Sequence, residues 1–197
     1  MAVCVATARE GKLIERFRGA LTDDLPLTLM CQQLGRRVRF RRQSLLATPV
    51  QFTFGEFFQF ARRQYILIRV YTPLLYLFAL GLTSLYVVGF VSAWATLVAQ
   101  WFMPINDTFW LYPAGIVLIV LAANHYRASM RQVLVQRAFG DQVLEQLRST
   151  LRYDRWATIV WMSLHFFVVV SAALGRRVRW RSVEYRLLGP QNVLRLN

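Results

Sequence analysis

The sequence predicts a mixed fold: a partial α/β segment at the front, an α-helical membrane region of two or three apolar segments, and a short basic tail of β character. Three observations carry that prediction. No charged residue occurs between Arg69 and Asp107, a gap longer than one bilayer span requires. Apolar residues make up 56% of the chain and fall in blocks, which is unlike a soluble domain. Near the end, Val178 to Leu187 alternates in polarity, as a half-exposed strand does.

A length of 197 residues allows one modest domain plus a few spans. The net charge of +14 rests almost wholly on arginine, with Lys12 the single lysine. In a chain with apolar blocks, that charge fits membrane lipids or a phosphate-bearing substrate better than nucleic acid. Cys4 and Cys31 stand apart without metal-ligand spacing and read as small core residues. Met1 to Ala8 is too short for a secretory leader, and its apolar start reads as part of something longer.

Residues 1–70 carry half of the basic groups. Val3 to Ala8 suits a buried strand. With Asp24 as N-cap, Pro26 in the first turn and Gly35 as a stop, Leu25 to Leu34 is expected as a helix. Arg37 to Arg41 alternates and reads as a short strand. Thr53 and Glu56 fit a capping box, opening a helix whose apolar face is Phe54, Phe57, Phe58, Ala61, Tyr65 and Ile68. Such a helix lies in a membrane interface or under a catalytic domain.

Residues 71–124 read as a transmembrane hairpin, with spans near Leu74 to Val98 and Phe109 to Asn124, and Trp94 and Trp101 as interfacial aromatics. Residues 125–155 hold six arginines and an amphipathic stripe broken near Gly140, which suits helices on a basic cytoplasmic surface. Residues 156–175 form a third apolar block, and 176–197 a basic tail. The arginine distribution places front, middle and tail all in the cytoplasm, which three full spans would not. Either the third block is re-entrant or interfacial, the reading favoured on charge, or the first block crosses twice, or the tail is translocated and the third block is a true span. The polar site is then cytoplasmic, in an integral multi-pass protein.

Two clusters could carry chemistry. Asp23 and Asp24 sit at a helix N-terminus, where backbone N–H groups keep a carboxylate ionised, as a general base requires; plain helix capping explains the same pair. Gln59, Arg62, Arg63 and Gln64 offer guanidinium groups able to hold a diphosphate, and arginines snorkelling to lipid phosphates explain them equally. His125 and His165 are isolated and read as structural.

The order of these motifs resembles a known family. Gly19-Ala-Leu-Thr-Asp-Asp-Leu-Pro-Leu-Thr28, Leu34-Gly-Arg-Arg-Val-Arg-Phe40, and Phe60-Ala-Arg-Arg-Gln-Tyr65 with Arg69-Val-Tyr71 resemble the C-terminal part of GT-A type membrane glycosyltransferases. The likeness is to family 2, and to its ceramide glucosyltransferase-like branch above all. The resemblance implies that Asp24 is the catalytic base, with Asp23 its acidic neighbour. The family's QxxRW element is similar to Gln59 with Arg62, or to Arg63-Gln64, so either arginine takes the diphosphate role. Trp180, Arg181 and Tyr185 fall where the branch's tail motif has its Trp, Arg and Tyr.

The resemblance implies a membrane glycosyltransferase moving sugar from a nucleotide-sugar donor to a lipid or lipid-linked hydroxyl, with inversion. It also implies a divalent cation, Mg or Mn, whose DxD ligands belong to a nucleotide-binding half that has no counterpart here. No metal site is therefore expected in this chain, and the chain alone is expected to be inactive. Two other classes compete: a non-catalytic partner subunit, and a basic lipid-binding scaffold.

Overall fold

The computed structural model describes residues 2–39, 41, 51–103, 108–180 and 182–196. The chain divides into two compact units, residues 1–79 with 168–197, and residues 80–167. Most of it is helical, with one small antiparallel sheet.

The first unit opens with α1 (Val5–Glu10), α2 (Leu13–Phe17) and α3 (Asp24–Gln33). The strand expected at Val3 to Ala8 is thus mostly helix. A short apolar run does not distinguish the two by periodicity. Cys4, expected in a core, is exposed. Helix α3 begins one residue earlier than expected, with Asp23 rather than Asp24 at the N-cap and no side-chain cap bond. It ends as Gly35 dictates: at φ +63°, Gly35 donates to Gln32 O and Arg36 to Cys31 O, the paired bonds of a Schellman stop. Arg37, Val38, Arg39 and Arg41 form no strand; Phe40 lies outside the described residues.

Helix α4 (Phe54–Tyr71) starts at the expected capping box, Thr53 and Glu56 each bonding the other's backbone N–H. Its buried side chains are Ile66, Leu67 and Tyr71, not the expected aromatic face, because α4 packs on α3 and on the tail. Of that face Phe54 is exposed, and Phe57, Phe58, Ala61, Tyr65 and Ile68 are half-buried. The tail is a three-stranded meander, β1 (Arg177–Trp180), β2 (Val183–Gly189) and β3 (Asn192–Arg195), with Val178 opposite Tyr185 and a bulge between Leu187 and Gly189. Met30, Ile66, Val169 and Leu187 are completely buried and centre the core. Gln191 Nε2 donates to Glu15 O at 2.8 Å, tying the sheet to the front. Gly19 permits that approach: at φ +70°, a Cβ there would lie 2.2 Å from Gln191 O.

The second unit holds most of α5 (Pro73–Phe102), then α6 (Leu111–Phe139), α7 (Asp141–Gln146), α8 (Arg148–Trp156) and the start of α9 (Thr158–Ala173). Tyr86 meets Asn124, and Phe90 and Ala93 pack with Val117, so α5 and α6 run antiparallel. Among the described residues α5 is the one helix long and apolar enough to cross a membrane, and its 30 residues reach about 45 Å. The expected second span, Phe109 to Asn124, is the first half of a helix that continues to Phe139. Its polar boundary at Asn124 does not interrupt the backbone hydrogen bonding. The expected third block, residues 156–175, is mostly α9, which meets α8 at an 81° bend at Ala157. The break expected near Gly140 is present, with that glycine at φ +85°.

Candidate functional site

Helix α4 presents Arg62 and Arg63 about 100° apart around its axis, and the two make different contacts. Arg62 faces the end of α9. Its Nη2 donates to Leu174 O at 2.6 Å, Nε to Ser171 O at 3.2 Å and Nη1 to Arg177 O at 3.3 Å. Arg69, two turns on, donates to Ala173 O and Gly175 O. A helix C-terminus leaves carbonyls without intrahelical partners and carries partial negative charge. Two forked guanidinium groups answer both needs, and each position is thereby structural.

Arg63 is held differently. Its guanidinium carbon lies 4.7 Å from the Trp180 ring centroid and 5.3 Å from that of Phe60, inside cation–π range. Its Nε is buried and makes no hydrogen bond among the described residues. Burial pushes its pKa below the ordinary arginine value, yet a guanidinium keeps its proton at neutral pH. The cavity beside it, about 300 Å³, is lined by Gln59, Arg62, Arg63, Arg177, Arg179 and Glu184, with Ile66 and Val178 beneath. With Arg62 engaged by α9, Arg63, Arg177 and Arg179 beside the one carboxylate of Glu184 leave the cavity with a positive balance. Burial of Arg69, reinforced by Arg176 and Arg62 nearby, lowers its pKa as well.

The structure therefore brings Gln59, Arg62, Arg63 and Trp180 together from opposite ends of the chain. Gln64 and Tyr185 do not line the cavity, and Arg181 lies outside the described residues. Asp23 and Asp24 are exposed at the start of α3 and are not among the lining residues either. Nearby, Leu21 N–H donates to the Tyr71 hydroxyl at 3.3 Å. Tyr71 lies nine residues, about 13 Å of helix axis, beyond Arg62. Burial raises the Tyr71 pKa, an effect that the Leu21 bond opposes.

A divalent cation does not fit the residues present. The cavity offers a single carboxylate, Glu184, among arginines, and no group of three or more His, Cys, Asp or Glu suited to a metal occurs among the described residues. The sequence reading missed Arg177, Arg179 and Glu184. The strand alternation that places them on one hairpin was the signal available.

No protein-family model, curated protein or solved structure matches the chain.

Proposed function

We propose that this chain is the acceptor-side, membrane-bound portion of an inverting glycosyltransferase that holds a phosphate-bearing group at Arg63. The observation that carries the reading is Arg63 itself, within cation–π range of Phe60 and Trp180 and with a buried Nε that has no hydrogen-bond partner among the described residues, lining a cavity with three further arginines. Such a group suits the charge that builds on a departing nucleoside diphosphate. Arg62, engaged with α9, is left out of that role. In this reading Asp24 takes the proton of a lipid hydroxyl, and a separate segment supplies the nucleotide-binding half and its cation ligands. Helices α5 and α6 cross the bilayer as a hairpin, while α8 stays on the cytoplasmic surface and α9 lies in the interface, which keeps every basic segment on the cytoplasmic side.

The test is kinetic. In the complete enzyme, Asp24→Asn should lower the transfer rate on the order of 10²–10⁴-fold with the fold intact, and an unchanged rate removes the base. Turnover of a nucleotide sugar by residues 1–197 alone would remove the missing half.

One observation favours a second reading. Asp23 and Asp24 do not line the Arg63 cavity, which suits a scaffold that grips an anionic lipid headgroup and performs no chemistry. That protein would bind phosphatidic acid through Arg63 and would be indifferent to Asp24→Asn.

A further inference from the structure

A second cavity of the first unit shares no lining residue with the one at Arg63. It encloses about 530 Å³ and is lined by Arg69 from α4, Gly175 and Arg176 from the link after α9, and Leu188, Gly189 and Pro190 from the end of β2. Arg69 commits two donors to Ala173 O and Gly175 O. Arg176 commits one, Nη1 to Leu188 O at 3.1 Å. A guanidinium carries five N–H donors, so most of those on Arg176 remain. The acceptors are neutral carbonyls, which leave both charges standing. Burial lowers the Arg69 pKa, and the nearby charges of Arg176 and Arg62 lower it further. No carboxylate lines the cavity among the described residues. Like charges gathered in this way favour an anion from outside. The surroundings are hydrocarbon. Leu188 is exposed, as is Leu174 beside the end of α9. The Tyr76–Val169 hydrogen bond, 2.9 Å long, holds the first turn of α5 against α9, and there Leu74, Leu75, Leu77 and Phe78 are exposed too.

We propose that this cavity holds the phosphate of an anionic membrane lipid, gripped by Arg176 and drawn by the charge of Arg69, with the acyl chains leaving past Leu174 and the first turn of α5. Position along the chain supports a lipid over a free anion. Helix α5, long and apolar enough to cross a membrane, begins four residues after Arg69, where the headgroup layer meets the hydrocarbon. Charge selects the head group. A phosphate offers acceptors to both guanidinium groups at once, whereas a choline ammonium beside it would meet two like charges. The site rests on α5 lying in a bilayer and not on any role of Arg63, Asp24 or sugar transfer.

The test is native mass spectrometry of the full chain in a non-ionic detergent, titrated with dioleoylphosphatidylglycerol. Saturable binding is expected, with dioleoylphosphatidylcholine and oleate each weaker by about tenfold or more. Arg176→Gln should weaken the phosphatidylglycerol about tenfold. The same loss of charge at Arg152, exposed in the second unit, should change it less than about twofold. Leu188→Glu sets a carboxylate at the cavity rim and leaves every arginine in place; it should match Arg176→Gln, and it decides the matter if that variant fails to fold. Glycerol 3-phosphate, the head group without chains, should not displace the lipid. Equal losses from Arg176→Gln and Arg152→Gln would reduce the binding to diffuse surface charge and overturn the site. Displacement by glycerol 3-phosphate would make the ligand a free phosphate ester, and equal binding of oleate would remove the preference for phosphate. A loss that follows Arg63→Ala and spares Arg176→Gln would move the lipid to the other cavity.

Discussion

In the first unit Arg62 and Arg69 donate to backbone carbonyls, whereas in the second Arg127 and Arg131 gather on a carboxylate. Arg62 and Arg69 neutralise the partial charge at the end of α9, and a partial charge leaves most of a guanidinium's field uncancelled. The tail then adds Arg177 and Arg179 beside Arg63, so the first unit retains a cationic cavity open to an external anion. In the second unit Asp154 meets Arg127 and Arg131 directly. There, Asp154 Oδ2 and the Nε atoms of Arg127 and Arg155 stay buried without hydrogen-bond partners among the described residues. Equal use of one residue type thus closes a helix end in one unit and builds a half-buried ion cluster in the other.

The largest expected effect tests the ionic half of that contrast. Arg127→Ala with Arg131→Ala strands the Asp154 carboxylate and should cost about 3–5 kcal/mol, read as an earlier denaturant midpoint. A loss within experimental scatter would mean that Asp154 finds other donors. Next, Arg62→Ala removes three donors to α9 and β1 and should cost about 2–3 kcal/mol, while pyrophosphate affinity changes less than about threefold. Arg63→Ala should reverse that pattern. Pyrophosphate binding, measured by calorimetry, should fall about tenfold or more, with a stability loss of about 1 kcal/mol from the two ring contacts. Similar profiles for the two arginines would erase the distinction between capping and binding.

The smallest effects belong to the entry of α4. Thr53→Ala should cost about 1 kcal/mol, visible as faster amide exchange in the first turn. The Glu56 carboxyl is held below its ordinary pKa, chiefly by the Thr53 backbone N–H and then by the Thr53 hydroxyl. Its contribution is complete above the ordinary carboxylate range and disappears as the pH falls through the lowered value. Protection in that turn, relative to the intrinsic exchange rate at each pH, should therefore be flat near neutrality and fall only in acid.

Much of this arrangement was legible from residue order. The capping box, the stop at Gly35, the break at Gly140 and the alternating tail are local signals, and local hydrogen bonding realises them. The strand expected at Val3 to Ala8 failed because a few apolar residues carry no period. The role of Arg62 was hidden because its acceptors lie more than a hundred residues away. The buried face of α4 was misread for a related reason: aromatic rings spaced by three and four mark an apolar side, but the tail packs elsewhere. Asp154 could have been noticed as the lone acid facing a basic helix, since Arg127 and Arg131 share a face. What no pattern could reveal was that only one of its oxygens would be used.

The Tyr76 hydroxyl donates to Val169 O at 2.9 Å, so the chain leaves the first unit and re-enters it at points that touch. The sheet and the end of α9, on which Arg62 and Arg69 close, emerge from the ribosome only after everything between residues 80 and 167 has been made. The front helices must therefore wait, incompletely closed, until the tail strands have been made. A stop codon placed after Arg176 would leave residues 1–79 without the sheet that closes on them.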